Sequence, residues 1–137
     1  MTDDMAADAS REGPDRKLVY VVDDDPTQLG EITDYLRHKG FRVMGAADGA
    51  LAVAEIGRHK PALVLMDIKM PGCDGIRAAQ FVQILSPETM IVLMSGHPQE
   101  VVRAHTSDRI SLRVLPKPVP LRQFARFAAG VLGKAGD

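Results

Sequence analysis

Five short apolar runs, separated by segments long enough for a helix, constrain the fold of this chain most. They begin near residues 18, 41, 63, 90 and 113. After the first run, Leu29, Ile32 and Leu36 recur at helical spacing, and the later segments behave similarly. Because parallel strands need crossover connections, this alternation predicts a parallel sheet with helices on both faces. The expected fold class is α/β, a five-stranded, flavodoxin-like doubly wound (βα)5 sheet of order 2-1-3-4-5.

The predicted strands cover residues 18–22, 41–46, 63–66, 90–94 and 113–115. Asp25 is the expected N-cap of the first helix, with Pro26 at its first position. Further helices are expected over 49–58, within 98–107 and over 121–132. The third helix should end before Ser86, with a buried face formed by Ala78, Phe81, Val82 and Leu85.

Length and composition favour one domain. The chain has 137 residues, of which 45% are hydrophobic and 26% charged. Residues 1–16 lack hydrophobic periodicity and are predicted to be a disordered tail, followed by a domain over 17–133 and a short tail over 134–137. A net charge of -1 argues against a general polyanion binder, and one cysteine cannot form a disulfide within the chain. No apolar run approaches membrane-spanning length, so we expect a cytoplasmic protein.

Polar residues follow four of the predicted strands. Asp23 and Asp24 follow the first strand, Asp67 the third, Ser95 the fourth and Lys117 the fifth. The carboxyl ends of parallel strands share one edge of the sheet, which is where ligands bind in such folds. The sequence therefore predicts that these side chains converge.

Three crowded carboxylates repel one another, and a divalent cation relieves that repulsion. Oxygen ligands at an open site suit Mg²⁺ better than softer metals. Lys117 and Ser95 are suited to contact phosphoryl oxygens. The pattern indicates a phosphoryl-transfer site with a carboxylate acceptor.

Four motifs, taken together, resemble the receiver domain of bacterial two-component response regulators. They are Val-Val-Asp-Asp-Asp at 21–25, Leu-Met-Asp-Ile-Lys-Met-Pro-Gly-Cys-Asp-Gly at 65–75, Met-Ser-Gly at 94–96 and Leu-Pro-Lys-Pro at 115–118. The resemblance extends over about residues 17–132, which suggests a single-domain, stand-alone regulator.

The resemblance implies that Asp67 accepts a phosphoryl group from the phosphohistidine of a histidine kinase or phosphotransfer protein. It also implies that Asp24 and Asp67 bind Mg²⁺ directly, that Asp23 acts mostly through water, and that Lys69 supplies its backbone carbonyl. Such a protein is a signalling phosphoacceptor that catalyses only its own phosphorylation and dephosphorylation.

The same resemblance places Ser95 at the family's switch Ser/Thr position and Lys117 at the position of the family's lysine. It also implies a cis peptide between Lys117 and Pro118. Lys69 and His97 stand where the family tunes phosphate lifetime, although both also suit ordinary solvated loops. Val114 stands where many receivers have an aromatic residue that moves with the switch, which leaves the output step open. A downstream protein is expected to dock on the face of helix 4, strand 5 and helix 5, without direct nucleic acid binding.

Two alternatives remain from other classes. An aspartate-nucleophile phosphohydrolase would use similar chemistry but needs an acid two residues after the nucleophile, where this chain has Lys69. A degenerate receiver would act as a scaffold without phosphorylation. A flavodoxin-type cofactor carrier is disfavoured because Asp23, Asp24 and Asp25 would repel a phosphate.

Overall fold

The computed structural model describes residues 14–97, 99 and 113–133. Within them, five strands form one parallel sheet: β1 (Asp15–Val22), β2 (Arg42–Ala46), β3 (Pro61–Asp67), β4 (Met90–Ser95) and β5 (Arg113–Pro116). Their spatial order is β2-β1-β3-β4-β5. The predicted fold class and the 2-1-3-4-5 order are therefore confirmed.

The described helices are α1 (Pro26–His38), α2 (Gly49–His59), α3 (Gly75–Leu85) and α4 (Leu121–Leu132). The helix predicted within 98–107 lies outside the described residues. Alternate residues of β1 enter two cores: Tyr20 packs with the α2 and α3 side, and Val19 with the α1 and α4 side. This period of two is why the central strands read as continuous apolar runs.

Four of the five strands extend further than the sequence predicts, whereas β2 begins one residue later than expected, at Arg42. β1 begins at Asp15, within the stretch predicted to be a disordered tail, and Asp15 pairs with Pro61, with a register shift between Asp15 and Val19. The Asp15 carboxylate also binds the guanidinium of Arg42 on β2. At the opposite edge, β3 and β4 include Asp67 and Ser95 as their last residues. Both side chains therefore start from backbone held in the sheet.

The buried face predicted for α3 is partly wrong. Phe81 and Leu85 are 52% and 37% exposed, whereas the side chains that face the core are those of Ile76, Ala79 and Val82, together with Ala78. The helix begins at Gly75 because the Asp74 carboxylate caps it there. Ile76, Ala79 and Val82 recur every three residues and so lie on one face of the helix, which packs against the sheet.

The start of α1 agrees with the prediction. Asp25 is the N-cap, and its carboxylate accepts hydrogen bonds from the amides of Thr27 at 2.9 Å and Gln28 at 3.4 Å. Pro26 opens the helix. The Asp25 carboxylate therefore caps the helix, as expected from the sequence.

Candidate phosphoacceptor site

Three carboxylates meet where β1 and β3 end side by side. Oxygen atoms of Asp23, Asp24 and Asp67 lie within 4.8 Å of one another. Val22 pairs with Met66, so the residues that follow them emerge together at the edge. Asp23 and Asp67 are buried, and Asp24 is the most exposed of the three. The predicted acidic cluster is therefore present.

Lys117 follows the edge strand β5, and its side chain extends to the same cluster. Its Nζ lies 2.8 Å from Oδ2 of Asp67 and 3.5 Å from Oδ2 of Asp23. The Lys117 amide donates to the Ser95 carbonyl at 2.9 Å, and the peptide before Pro118 is cis, as the resemblance implies. Backbone contacts with β4 thus direct this side chain toward the carboxylates.

The electrostatics of Lys117 keep it charged. Burial by itself lowers the pKa of this lysine, but its hydrogen bond to Asp67 and the charges of Asp67 and Asp23 outweigh that effect. The net result is a pKa raised above the ordinary lysine value. The site therefore contains a permanent cation beside two buried carboxylates.

Asp23 is the least well compensated of the three acids. Its Oδ1 accepts a hydrogen bond from the Asp25 amide at 2.9 Å, while its buried Oδ2 has no hydrogen-bond partner among the described residues. Burial raises the pKa of Asp23, although the Asp25 amide and Lys117 oppose this, and Asp67 adds to it. A buried oxygen that has no hydrogen bond and only the Lys117 ammonium nearby, beside two further carboxylates, fits a hard divalent cation such as Mg²⁺.

The loop after Asp67 folds back as a small hairpin. Lys69 and Met70 pair antiparallel with Cys73 and Asp74, and Gly72 has a φ of 69° in the connecting turn. The Lys69 amide donates to Oδ1 of Asp67 at 3.2 Å. Lys69 therefore contacts the candidate acceptor through its backbone, while its side chain is exposed.

Ser95 is buried at the end of β4, and its hydroxyl is bound by its own loop. Its Oγ accepts a hydrogen bond from the His97 amide at 2.9 Å and donates to the His97 carbonyl at 2.9 Å. His97 itself is exposed. This turn was not predicted, because a serine can form such a turn with almost any residue two positions later. The sequence Ser-Gly-His gives no specific signal for it.

Val114 lies away from the acids. It is partly buried, pairs with Leu93 and packs against the core on the α2 and α3 side. Beside it, between β5 and α4, lies a cavity of about 350 Å³ whose lining includes Arg113, Val114, Gln123, Phe124 and Phe127. The structure thus brings together Asp23, Asp24, Asp67 and Lys117, and places Val114 on a separate surface.

Comparison with known proteins decides the family. Residues 19–128 match the response regulator receiver domain. The chain belongs to this family. Receiver domains of two-component systems are signalling phosphoacceptors that bind Mg²⁺ and act with histidine kinases or phosphotransfer proteins.

Several curated relatives carry the same domain. The chain is 33% identical over 103 residues to the transcriptional regulatory protein PdtaR of Mycobacterium tuberculosis, covering 74% of this chain and 50% of PdtaR. It is 40% identical over 62 residues to protein PilH of Pseudomonas aeruginosa, covering 45% of this chain and 51% of PilH. A match to the yeast transcription factor SKN7 covers only 13% of that protein. The receiver therefore spans about half or less of these relatives.

Among solved structures, a CheY-like receiver domain protein from Methanospirillum hungatei JF-1 superposes with a TM-score of 0.76. The match covers 86% of this chain and 94% of that protein at 24% identity, which supports the shared fold. None of the described helices has the length and apolar character needed to cross a membrane.

Proposed function

We propose that Asp67 of this receiver domain is the phosphoacceptor. The observation that carries the proposal is the position of its carboxylate. Oδ2 faces the Lys117 ammonium at 2.8 Å, Oδ1 accepts from the Lys69 amide at 3.2 Å, and the other two acids are within 4.8 Å. A carboxylate held this way is both oriented and close to the positive charge that a phosphoryl group needs.

In the proposed reaction, an Asp67 oxygen attacks the phosphorus of a phosphohistidine on the donor protein. The phosphorus–nitrogen bond breaks, its electron pair stays on the imidazole, and an acyl phosphate forms on Asp67. Lys117 then exchanges part of its contact with Asp67 for a phosphoryl oxygen. The Ser95 hydroxyl leaves the His97 backbone, with which it is hydrogen-bonded in the unphosphorylated protein, and donates to another phosphoryl oxygen.

The proposed cofactor is Mg²⁺. Asp24 and Asp67 would hold it directly through carboxylate oxygens, Asp23 would act mostly through a bound water, and Lys69 would supply its backbone carbonyl. The ion supplies positive charge that offsets the acids and the incoming phosphoryl group. Support comes from the buried Asp23 oxygen that lacks a hydrogen bond and from the all-oxygen donor set.

Labelling with acetyl phosphate tests the assignment. Wild-type protein with Mg²⁺ is expected to gain one acid-stable, base-labile phosphoryl group, and Asp67→Asn to gain none. Asp48→Asn is a matched control, because Asp48 is a helix N-cap outside the acidic cluster. Labelling of Asp67→Asn at the wild-type rate would exclude Asp67 as the acceptor.

The partner upstream is proposed to be a histidine kinase or histidine phosphotransfer protein in the cytoplasm. Downstream, the proposed target docks on the face of the predicted helix 4, strand 5 and helix 5. Of these, strand 5 is described as β5 and the predicted helix 5 as α4, while helix 4 lies outside the described residues. The cavity there has aromatic walls, and the Arg113 guanidinium lies 5.3 Å from the centroid of the Phe127 ring.

The charge of this face indicates the chemistry of the target. Arg122 and Arg126 are exposed on α4, and neither α4 nor β5 contains an acidic residue. None of the ion pairs between described residues involves these arginines or Arg113. The proposed target segment is therefore acidic and has an apolar side chain for the cavity.

A short glutamate-rich peptide with one central phenylalanine tests that chemistry. Binding to the phosphorylated protein is expected to weaken when salt is raised and when Arg126 is replaced in Arg126→Glu. Arg77→Glu, an exposed change on α3, is the control and should leave binding unchanged. Equal binding by both variants would remove this face from the proposal.

The scaffold and phosphohydrolase alternatives predict different labelling. A scaffold would show no phosphorylation at any Mg²⁺ concentration. A phosphohydrolase would turn over added phosphomonoester many times, for which Lys69 provides no second acid. Labelling by acetyl phosphate therefore separates the phosphoacceptor from the scaffold, and phosphomonoester turnover separates both from the phosphohydrolase.

A further inference from the structure

Gly75, the first residue of α3, touches the backbone of the candidate acceptor. A Cβ at this position would lie 2.3 Å from the carbonyl oxygen of Asp67 and 2.6 Å from Cα of Ile68. The Gly75 amide also donates to the Ile68 carbonyl at 2.7 Å. These neighbours are main-chain atoms, so no side chain can rotate away to make room.

A short hairpin of the chain connects the Gly75 contact to the Asp67 carboxylate. Between Asp67 and Gly75 the chain forms the hairpin in which Lys69 pairs with Asp74. At one end of the hairpin, the Lys69 amide donates a hydrogen bond to Oδ1 of Asp67. At the other end, the Asp74 carboxylate accepts a hydrogen bond from the Ile76 amide at 2.9 Å. Any displacement at Gly75 must therefore move the amide that orients the acceptor.

We propose that Gly75 is a positioning residue that sets the reactivity of Asp67, beyond its part in folding. This inference rests on the proposed role of Asp67 as acceptor. Accommodating a methyl group requires the start of α3 and the Asp67–Ile68 peptide to separate. Misplacement of a reacting group by about 1 Å can cost on the order of 100-fold in rate, so a loss of about 10-fold to 100-fold is expected.

Gly75→Ala tests the inference directly, with Gly130→Ala as its matched control. Gly130 is exposed in α4, and a Cβ there would meet nothing within 4 Å. Labelling by acetyl phosphate at saturating Mg²⁺ should slow about 10-fold or more in Gly75→Ala and be unchanged in Gly130→Ala. The amide resonance of Lys69 should shift in the first variant only, which a general loss of stability would not cause.

A second pair of variants decides the matter if Gly75→Ala does not fold. Asp74→Ala removes the α3 cap beside the hairpin, and Asp48→Ala removes the equivalent cap of α2. Asp74→Ala should slow labelling and shift the Lys69 resonance, while Asp48→Ala should do neither.

The outcomes are distinguishable. A folded Gly75→Ala protein that labels at the wild-type rate overturns the positioning role, as does equal slowing by the two cap variants. Absence of labelling at Asp67 in the wild-type protein would instead overturn the proposed function itself.

Discussion

Lys117 Nζ lies 2.8 Å from Oδ2 of Asp67, and this ion pair joins two residues fifty positions apart in the chain. Lys117 follows β5 at the edge of the sheet, whereas Asp67 ends the central strand β3. Both side chains are largely buried, so the pair is poorly screened by solvent. In the metal-free protein, the lysine is therefore the nearest positive charge to the acceptor.

Lys117→Met should destabilise the metal-free protein. The change leaves the Asp67 and Asp23 carboxylates buried beside each other without their cation, at a cost of about 1–3 kcal/mol in the free energy of unfolding. Mg²⁺ should restore much of that loss, because it supplies the missing charge. Urea unfolding in EDTA and in Mg²⁺ measures both values, with exposed Lys17→Met as the control; an identical loss in both buffers would contradict the prediction.

Asp24→Ala should have opposite effects on metal affinity and stability. It removes the most exposed acid of a cluster whose oxygens lie within 4.8 Å of one another. Less repulsion should raise the metal-free stability by up to about 1 kcal/mol, while Mg²⁺ affinity falls at least tenfold. Mg²⁺ titration followed by amide NMR measures the affinity, and an unchanged titration curve would be the contrary result.

The acidic cluster was predictable because it depends on strand ends. Asp67 and Lys117 each follow an apolar run, and parallel strands place such residues at one edge whatever their separation in sequence. The start of β1 was not predictable in the same way, since Asp15 is stabilised by Arg42 on a neighbouring strand. Such a pair is visible only when the strand register is known.

The role of Gly75 was also beyond the sequence. By itself, an Asp-Gly pair such as Asp74-Gly75 indicates only a turn. Its close approach to the Asp67 carbonyl depends on how α3 docks against the loop, which is a property of tertiary packing. The exposed Phe81 was misassigned for the same reason, because helical spacing alone does not show which face meets the sheet.

Tyr20→Phe should change the alkaline stability of the domain. The Tyr20 ring is fully buried on β1, and its hydroxyl donates to the Glu55 carboxylate on α2. Burial, followed by the hydrogen bond and charge of Glu55, raises the pKa of Tyr20 above its ordinary value. Above pH of about 10 the unfolded chain loses this proton while the folded protein keeps it, so stability falls as pH rises.

Removing the hydroxyl should abolish that contribution. At pH 7, Tyr20→Phe should cost about 1 kcal/mol through the lost hydrogen bond, since Glu55 remains partly exposed to water. Above pH of about 10, the disadvantage should shrink by up to about 1.4 kcal/mol per pH unit. Denaturant unfolding from pH 7 to 11 measures the difference, and a gap that is constant with pH would show that Tyr20 does not titrate as described.

Phosphorylation should break the turn that now holds Ser95. The Ser95 hydroxyl donates to the His97 carbonyl at 2.9 Å, and a phosphoryl group on Asp67 would offer it a more strongly charged acceptor. Turning toward that acceptor releases His97 and moves the loop that follows β4. Residues 98–112 lie outside the described part of the chain, but the register of Ser95 with Pro116 connects this movement to β5.

A beryllium fluoride complex, which mimics the phosphoryl group, should therefore shift amide resonances mainly from Ser95 to Leu115, with a large change at His97. Val114 has no aromatic ring to move, so displacement of the loop must carry the signal, and Val114→Ala should alter the pattern only near itself. Ser95→Ala is the matched control, because it removes the hydroxyl and should abolish the His97 response while Asp67 still binds the mimic. Shifts confined to the three acids, or concentrated on α1, would place the switch surface elsewhere.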